Sequence, residues 1–245
     1  MYARYRPQKR KHVLMISGTP GSGKSTIVNR IAEALRKRGF RVKISRMTGF
    51  HMFNYVFLYC LARAAYPDKR LFHKLVIKGK IHPISLIRKE YIVKMHTLEM
   101  LLEVLSICLT FLLKVFLPLK LGYDVIIVDE GTINIIGNYI AAFKDAHEDM
   151  LQKIVFYPLM LTKAILCKAS LNVFFINANY SALEARWKSR GFPPLIEETP
   201  FASDFYPKYL KCLRNAKELF KGALHLKVIE LDTSSNDLSQ IGSIG

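Results

Sequence analysis

With 245 residues, 51% of them hydrophobic, the chain can bury a sizeable core as one large α/β domain, two small domains being the weaker alternative. Lys and Arg number 37 against 19 Asp and Glu, and the net charge of +18 calls for an anionic partner: nucleotide, phosphorylated substrate, nucleic acid or anionic membrane surface. Cys60, Cys108, Cys167 and Cys212 are far apart, with no C-x-x-C pair and no His at ligand spacing, which argues against a zinc centre. Buried, reduced thiols in a cytoplasmic protein are the expectation.

In chain order, residues 1–11 form a flexible basic arm with Arg4, Arg6, Lys9, Arg10 and Lys11 unopposed by acid. Residues 12–245 make a single domain. Its first element is a short buried strand, Val13 to Ile16, so the basic N-terminus is not read as a signal peptide. Gly18-Thr19-Pro20-Gly21-Ser22-Gly23-Lys24-Ser25 then matches G-x-x-x-x-G-K-[ST] at every fixed position. The glycines let the backbone fold into a nest of N–H groups around a phosphate. A helix from Lys24 to Arg38, with Thr26 in its first turn, aims its positive end at the same anion. Lys24 reaches the β- and γ-phosphates, and the Ser25 hydroxyl is a Mg²⁺ ligand.

A second strand covers Arg41 to Arg46, and an aromatic-rich helix runs from Phe50 to Tyr66. The basic stretch from Arg63 to Lys94 is either a solvated helical face or an anion-facing surface. Ile92 to Leu117 is a long apolar helix ended by Pro118 and Gly122. Its uncharged centre, Val104 to Leu113, falls short of the ~20 residues that cross a bilayer, so it is read as a core helix, with an interfacial or partner-binding helix as the alternative. Asp124 to Asp129 is a third strand. Asn134 to Leu166 is helical, with a break near Pro158, and Leu171 to Ile176 is the fourth strand. A short basic helix spans Ser181 to Arg190, capped by Ser181 or Asn179, inside a lid region at about 180–200. Asp204 to Lys221 is the last helix, and Leu226 to Leu231 the fifth strand. Strands alternate with helices. The fold class is therefore α/β, of P-loop NTPase type: a five-stranded parallel sheet with helices on both faces.

Asp129 ends a buried strand, where a P-loop protein places the acid that helps hold Mg²⁺. Glu130 beside it either orients a hydroxyl or water or is a structural cap. Arg186 and Arg190 lie four apart on one helix face, suited to charge on a transferring phosphoryl group; the alternative is an ordinary basic face.

The order of elements resembles the thymidylate kinase family through most of the chain. The family's T-R-E-P-G resembles Ser45-Arg46-Met47-Thr48-Gly49, and its strand ending in D-R-[YFH] resembles Val125 to Gly131. Its strand, helix and lid arginines resemble Asn172 to Arg190. Its D-R arginine, an acceptor-phosphate ligand, is Glu130 here, its aromatic is Gly131, and its base-holding tyrosine and glutamine correspond to Asn138 and Tyr139. A carboxylate at that point suits a hydroxylated acceptor better than a nucleoside monophosphate.

The expected function is ATP- and Mg²⁺-dependent phosphoryl transfer to a small acceptor, whether nucleotide, nucleoside or another hydroxylated molecule. Lys24, Asp129, Glu130, Arg186 and Arg190 are the candidate catalytic residues. The nucleotide is held by Gly18 through Thr26, the metal by Ser25 and Asp129, and the acceptor by Arg46 and Glu130. One rival is a switch ATPase or GTPase in which Glu130 positions water, although no N-K-x-D guanine motif is found. Another is a nucleic-acid or membrane-surface binder regulated by nucleotide. Sulfotransfer ranks low, and a homodimer is left open.

Overall fold

The computed structural model describes residues 11–47, 52–65, 68–73, 76, 96–143, 148–189 and 202–234. Five strands form one sheet: β1 (His12–Gly18), β2 (Val42–Arg46), β3 (Val125–Asp129), β4 (Ser170–Asn177) and β5 (Val228–Asp232). The order is β2-β3-β1-β4-β5 and every pairing is parallel. All five residues of β3 are buried, as a central strand covered on both faces requires.

Side-chain alternation divides the core in two. Ile16, Ile127, Phe174 and Ile176 face Ile27, Val28 and Ala32 of α1 (Lys24–Lys37). Met15, Ile126, Val128 and Phe175 face a thicker layer. That layer holds α2 (Met52–Ala65), α3 (Lys69–His73), α4 (His96–Phe111), α6 (Thr132–Phe143), α7 (Glu148–Leu166) and α9 (Ala202–Leu224). The short helix α8 (Tyr180–Ser189) follows β4 and buries Leu183 against Ala178. Of its two candidate caps, Asn179 serves: its Oδ1 accepts the Ala182 N–H at 2.8 Å. Helices thus cover both faces, as expected. The basic arm at 1–10, most of the 63–94 run, Arg190 and the lid beyond Ser189 lie outside the described residues.

The apolar helix departs from expectation. It does not stop at Pro118: a π-turn (Leu112–Phe116) carries α4 into α5 (Leu117–Lys120). Proline has no N–H for the carbonyl four residues back and its ring crowds that carbonyl. The π-turn relieves the crowding, and the freed Lys114 carbonyl accepts the Ser45 hydroxyl at 2.8 Å. Nor is this simply a core helix. By length and composition Met100–Lys120 is apolar enough to cross a membrane, and only 33% of its most apolar 18-residue stretch is buried. Pro158 also sits inside a helix, α7, rather than breaking it, and is itself buried. Of the four cysteines only Cys212 is buried. Cys60 and Cys108 lie on outward faces of α2 and α4, and Cys167 in the turn after α7, so an apolar sequence context did not mean burial.

Candidate functional site

All five strands point their C-terminal ends the same way, which gathers Gly18, Arg46, Asp129, Asn177 and Asp232 at one edge of the sheet. The loop from β1 into α1 starts at the centre of that edge. Gly18 has φ +141°, and a Cβ there would lie 1.9 Å from the Ile176 carbonyl oxygen, so only glycine fits. Gly21 (φ +82°) and Gly23 (φ +86°) are left-handed. Gly23 caps α1 with no side-chain bond, and no acid occupies the first turn, so the positive helix end faces the loop uncompensated. Thr26 N–H donates to the Gly23 carbonyl at 3.0 Å, closing the first turn behind Lys24 and Ser25. Lys24, itself buried, arches over the loop and donates Nζ–H to the carbonyls of Gly18 (3.0 Å) and Thr19 (2.8 Å).

Beside the loop, Ser25 Oγ–H donates to Asp129 Oδ2 at 3.1 Å. The other Asp129 oxygen, Oδ1, is buried without a partner, as are Ser17 Oγ, Thr19 Oγ1 and Ser22 Oγ. Such orphans are rare in native interiors and cluster where a ligand completes the bonding. Burial pushes the Asp129 carboxyl above its ordinary range, with the neighbouring Glu130 charge acting the same way, while Ser25, Lys24 and Arg46 pull it down. A serine hydroxyl and a destabilised carboxylate with one open oxygen are the hard oxygen donors that Mg²⁺ takes, so the residues present fit that ion.

The sheet order, with this loop joining the central strand to a covering helix, decides the class. The chain has the P-loop NTPase fold. Among the described residues of this P-loop NTPase, two contributors escaped the sequence reading. Asn134, buried on α6, clamps the start of the loop: its Oδ1 accepts Gly18 N–H at 2.9 Å and its Nδ2 donates to the Gly18 carbonyl at 3.0 Å. The signal was a lone amide in an otherwise apolar run, Ile133-Asn134-Ile135-Ile136, just after the strand-ending acid. Thr233, beyond β5, donates its hydroxyl to the Ser22 carbonyl at 2.7 Å, fixing the loop from the opposite side.

The two acceptor candidates meet each other. Arg46 donates Nε–H and Nη2–H to the two carboxylate oxygens of Glu130, each at 3.2 Å. The fork raises the arginine's affinity for its proton. Glu130 sits at φ +61°, an uncommon left-handed backbone for a glutamate. Its N–H is held by the Ile16 carbonyl at 3.0 Å, and Gly131 follows with no room to spare: an added Cβ would stand 3.2 Å from Met15 Cβ. Lys114 Nζ donates to the Arg46 carbonyl at 2.6 Å, and its pKa is lowered by burial and by the Arg46 charge.

Arg186 comes to the P-loop from α8. Its guanidinium donates to the Thr233 carbonyl (2.5 Å), the Thr233 hydroxyl (3.3 Å) and the Gly21 carbonyl (3.4 Å). An open groove of about 360 Å³ beside it is lined by Ala182, Ala185, Ser189 and Ser234. Asn138 and Tyr139 face the helical layer: Asn138 Oδ1 accepts from Tyr209 (2.7 Å), and the wholly buried Tyr139 hydroxyl donates to Glu103.

The sequence profile of the methylmalonyl-CoA mutase-associated GTPase MeaB matches residues 4–47, which end with β2. Among solved structures, thymidylate kinase from Ehrlichia chaffeensis is similar at 13% identity over 96% of each chain, with a TM-score of 0.47. A search of curated protein sequences finds no match.

Proposed function

We propose that this P-loop NTPase is a phosphotransferase that passes the γ-phosphate of ATP to a small hydroxylated acceptor. The observation that carries the reading is the charged pair at the loop's rim. Arg46 and Glu130 stand at the ends of adjacent strands next to Asp129, and Glu130 is fixed there by a left-handed backbone. Sparsely populated backbone conformations persist where the surrounding structure enforces them, often at functional sites.

The P-loop backbone and the first turn of α1 bind the phosphates. Lys24 exchanges its two loop carbonyls for phosphate oxygens. Ser25 and Asp129 would hold Mg²⁺, which supplies charge neutralisation between the phosphates. Glu130 takes the acceptor hydroxyl as a hydrogen-bond donor and draws on its proton. Arg46, held by both Glu130 oxygens, limits how much negative charge that carboxylate presents to incoming phosphate. Arg186, and Arg190 with it, act on charge developing in the transition state, and the groove beside Arg186 receives the nucleobase.

A switch GTPase is the second reading, supported by the match of residues 4–47. That stretch carries the P-loop, which kinases and GTPases share, so it does not separate the two. A panel of nucleosides, nucleoside monophosphates and sugars, incubated with γ-labelled ATP beside a no-acceptor control, does. Label moving into an acceptor supports the phosphotransferase; label released only as inorganic phosphate, whatever is added, refutes it.

A further inference from the structure

We infer that the outward face of α4 and α5 rests on the surface of an anionic lipid bilayer, docking the protein peripherally. Leu98, Leu101, Leu105, Leu112, Leu117 and Leu121 are each between 40% and 60% exposed. Their spacings of three, four and seven residues put the first four on one helical stripe. Leu117 follows Leu112 by five residues, which would throw it off that stripe in a regular α-helix. The π-turn at Leu112–Phe116 takes up the extra residue and brings Leu117 and Leu121 back into line. The stripe runs about 34 Å at 1.5 Å per residue. Soluble monomers seldom leave so long an apolar row in water.

The opposite face of the same helix excludes a spanning role. Ile107, Phe111, Val115 and Leu119 are in the core. Glu103 is buried, its carboxylate accepting from Asn54 Nδ2 at 2.7 Å and from Tyr139. Lifting α4 out of the domain to cross a membrane would strip that carboxylate of its donors, so the helix can only lie on a surface with its core side kept.

Charge selects the occupant. At the C-terminal end of the stripe Arg41 and Lys120 are exposed, Arg41 Nη2 donating to the Leu121 carbonyl at 3.5 Å, and Lys43 is exposed two residues beyond Arg41 on β2. Asp124 also lies at that end, accepting the Arg41 N–H at 2.7 Å. An anionic leaflet attracts basic residues that border an apolar stripe.

The test is co-sedimentation of the full chain with vesicles of phosphatidylcholine alone or mixed with phosphatidylserine, at low salt. The wild type should pellet with the mixed vesicles and at least tenfold less with phosphatidylcholine. The triple variant Leu101→Gln, Leu105→Gln, Leu112→Gln should lose binding by about tenfold or more while its circular dichroism is unchanged, because burying even part of a leucine is favourable. Charge reversal at Arg41, Lys43 and Lys120 should also abolish pelleting, and covers the case in which the triple variant misfolds. The inference is overturned if the wild type stays in the supernatant with phosphatidylserine vesicles, if both variants bind like wild type, or if light scattering shows a wild-type dimer that the triple variant dissociates.

Discussion

Asn134 offers the sharpest test of how the P-loop is held. Asn134→Ala removes both of its bonds to Gly18, in a site where Asn134 is only 4% exposed. The two losses differ in size. The Gly18 carbonyl keeps Lys24 as a donor at 3.0 Å, so losing Nδ2 costs about one ordinary hydrogen bond, ~0.5–1.5 kcal/mol. The Gly18 N–H loses its side-chain acceptor, and an unsatisfied buried donor costs ~1–3 kcal/mol. Together these come to about 3 kcal/mol, which at roughly 2–4 °C per kcal/mol for a chain of this size predicts a fall in Tm of about 6–12 °C. ATP affinity should fall as well, because the loop loses its anchor where the strand ends. Asn134→Asp separates the effects: it keeps an oxygen for the Gly18 N–H but sets a carboxylate against the Gly18 carbonyl and near the phosphates. It should therefore weaken ATP binding more than it lowers Tm, relative to the alanine variant. Thermal denaturation and calorimetric titration with ATP, joined by hydrogen exchange at the Gly18 amide, read all three. A Tm for Asn134→Ala within 2 °C of wild type, with unchanged ATP affinity and Gly18 exchange, would refute the reasoning.

Asp129→Asn should raise Tm in metal-free buffer while abolishing any Mg²⁺-dependent gain in ATP affinity. Burial raises the Asp129 pKa above its unfolded value, so the charged form opposes folding; the stabilising effect of the substitution should be absent at acid pH, appear above the ordinary aspartate range and be full above the raised folded-state value. Melting curves from acid to neutral pH check this, and an asparagine variant less stable at pH 7 would contradict it. Arg186→Ala should slow ATP turnover on the order of 10³-fold if the guanidinium acts on the transition state, whereas a role confined to tying Gly21 to Thr233 should show mainly as a raised KM for ATP. Arg36→Ala, on the exposed side of α1, is the near-neutral control, and an Arg186→Ala rate equal to that control would remove Arg186 from the site.

The P-loop was legible because its chemistry is local: eight consecutive residues carry both the turn geometry and the ligands. Asp129 stood out only in combination: a carboxylate ending a strand is often just a turn residue, and it was the complete P-loop that singled this one out, which the structure places within reach of Ser25. The Arg46–Glu130 pair was not, since the two are 84 residues apart and meet only because β2 and β3 are neighbours. Asn134 was hidden for a related reason: its partner, Gly18, is 116 residues away. Pro118 misled because proline usually ends a helix, and a single π-turn with Ser45 as a surrogate donor lets this one continue. The cysteines misled because an apolar helical pattern identifies a stripe without saying whether protein or solvent lies beyond it.

The phosphotransferase reading depends on the P-loop site binding a nucleoside triphosphate, and titration calorimetry of ATP·Mg²⁺ into wild type and Lys24→Ala tests that most directly. Lys24 donates to two loop carbonyls and stands at the head of α1, so its truncation should leave the sheet and helices in place by circular dichroism while ATP·Mg²⁺ affinity falls by two orders of magnitude or more. Equal affinity in the two proteins, with the variant folded, would contradict the account at its base.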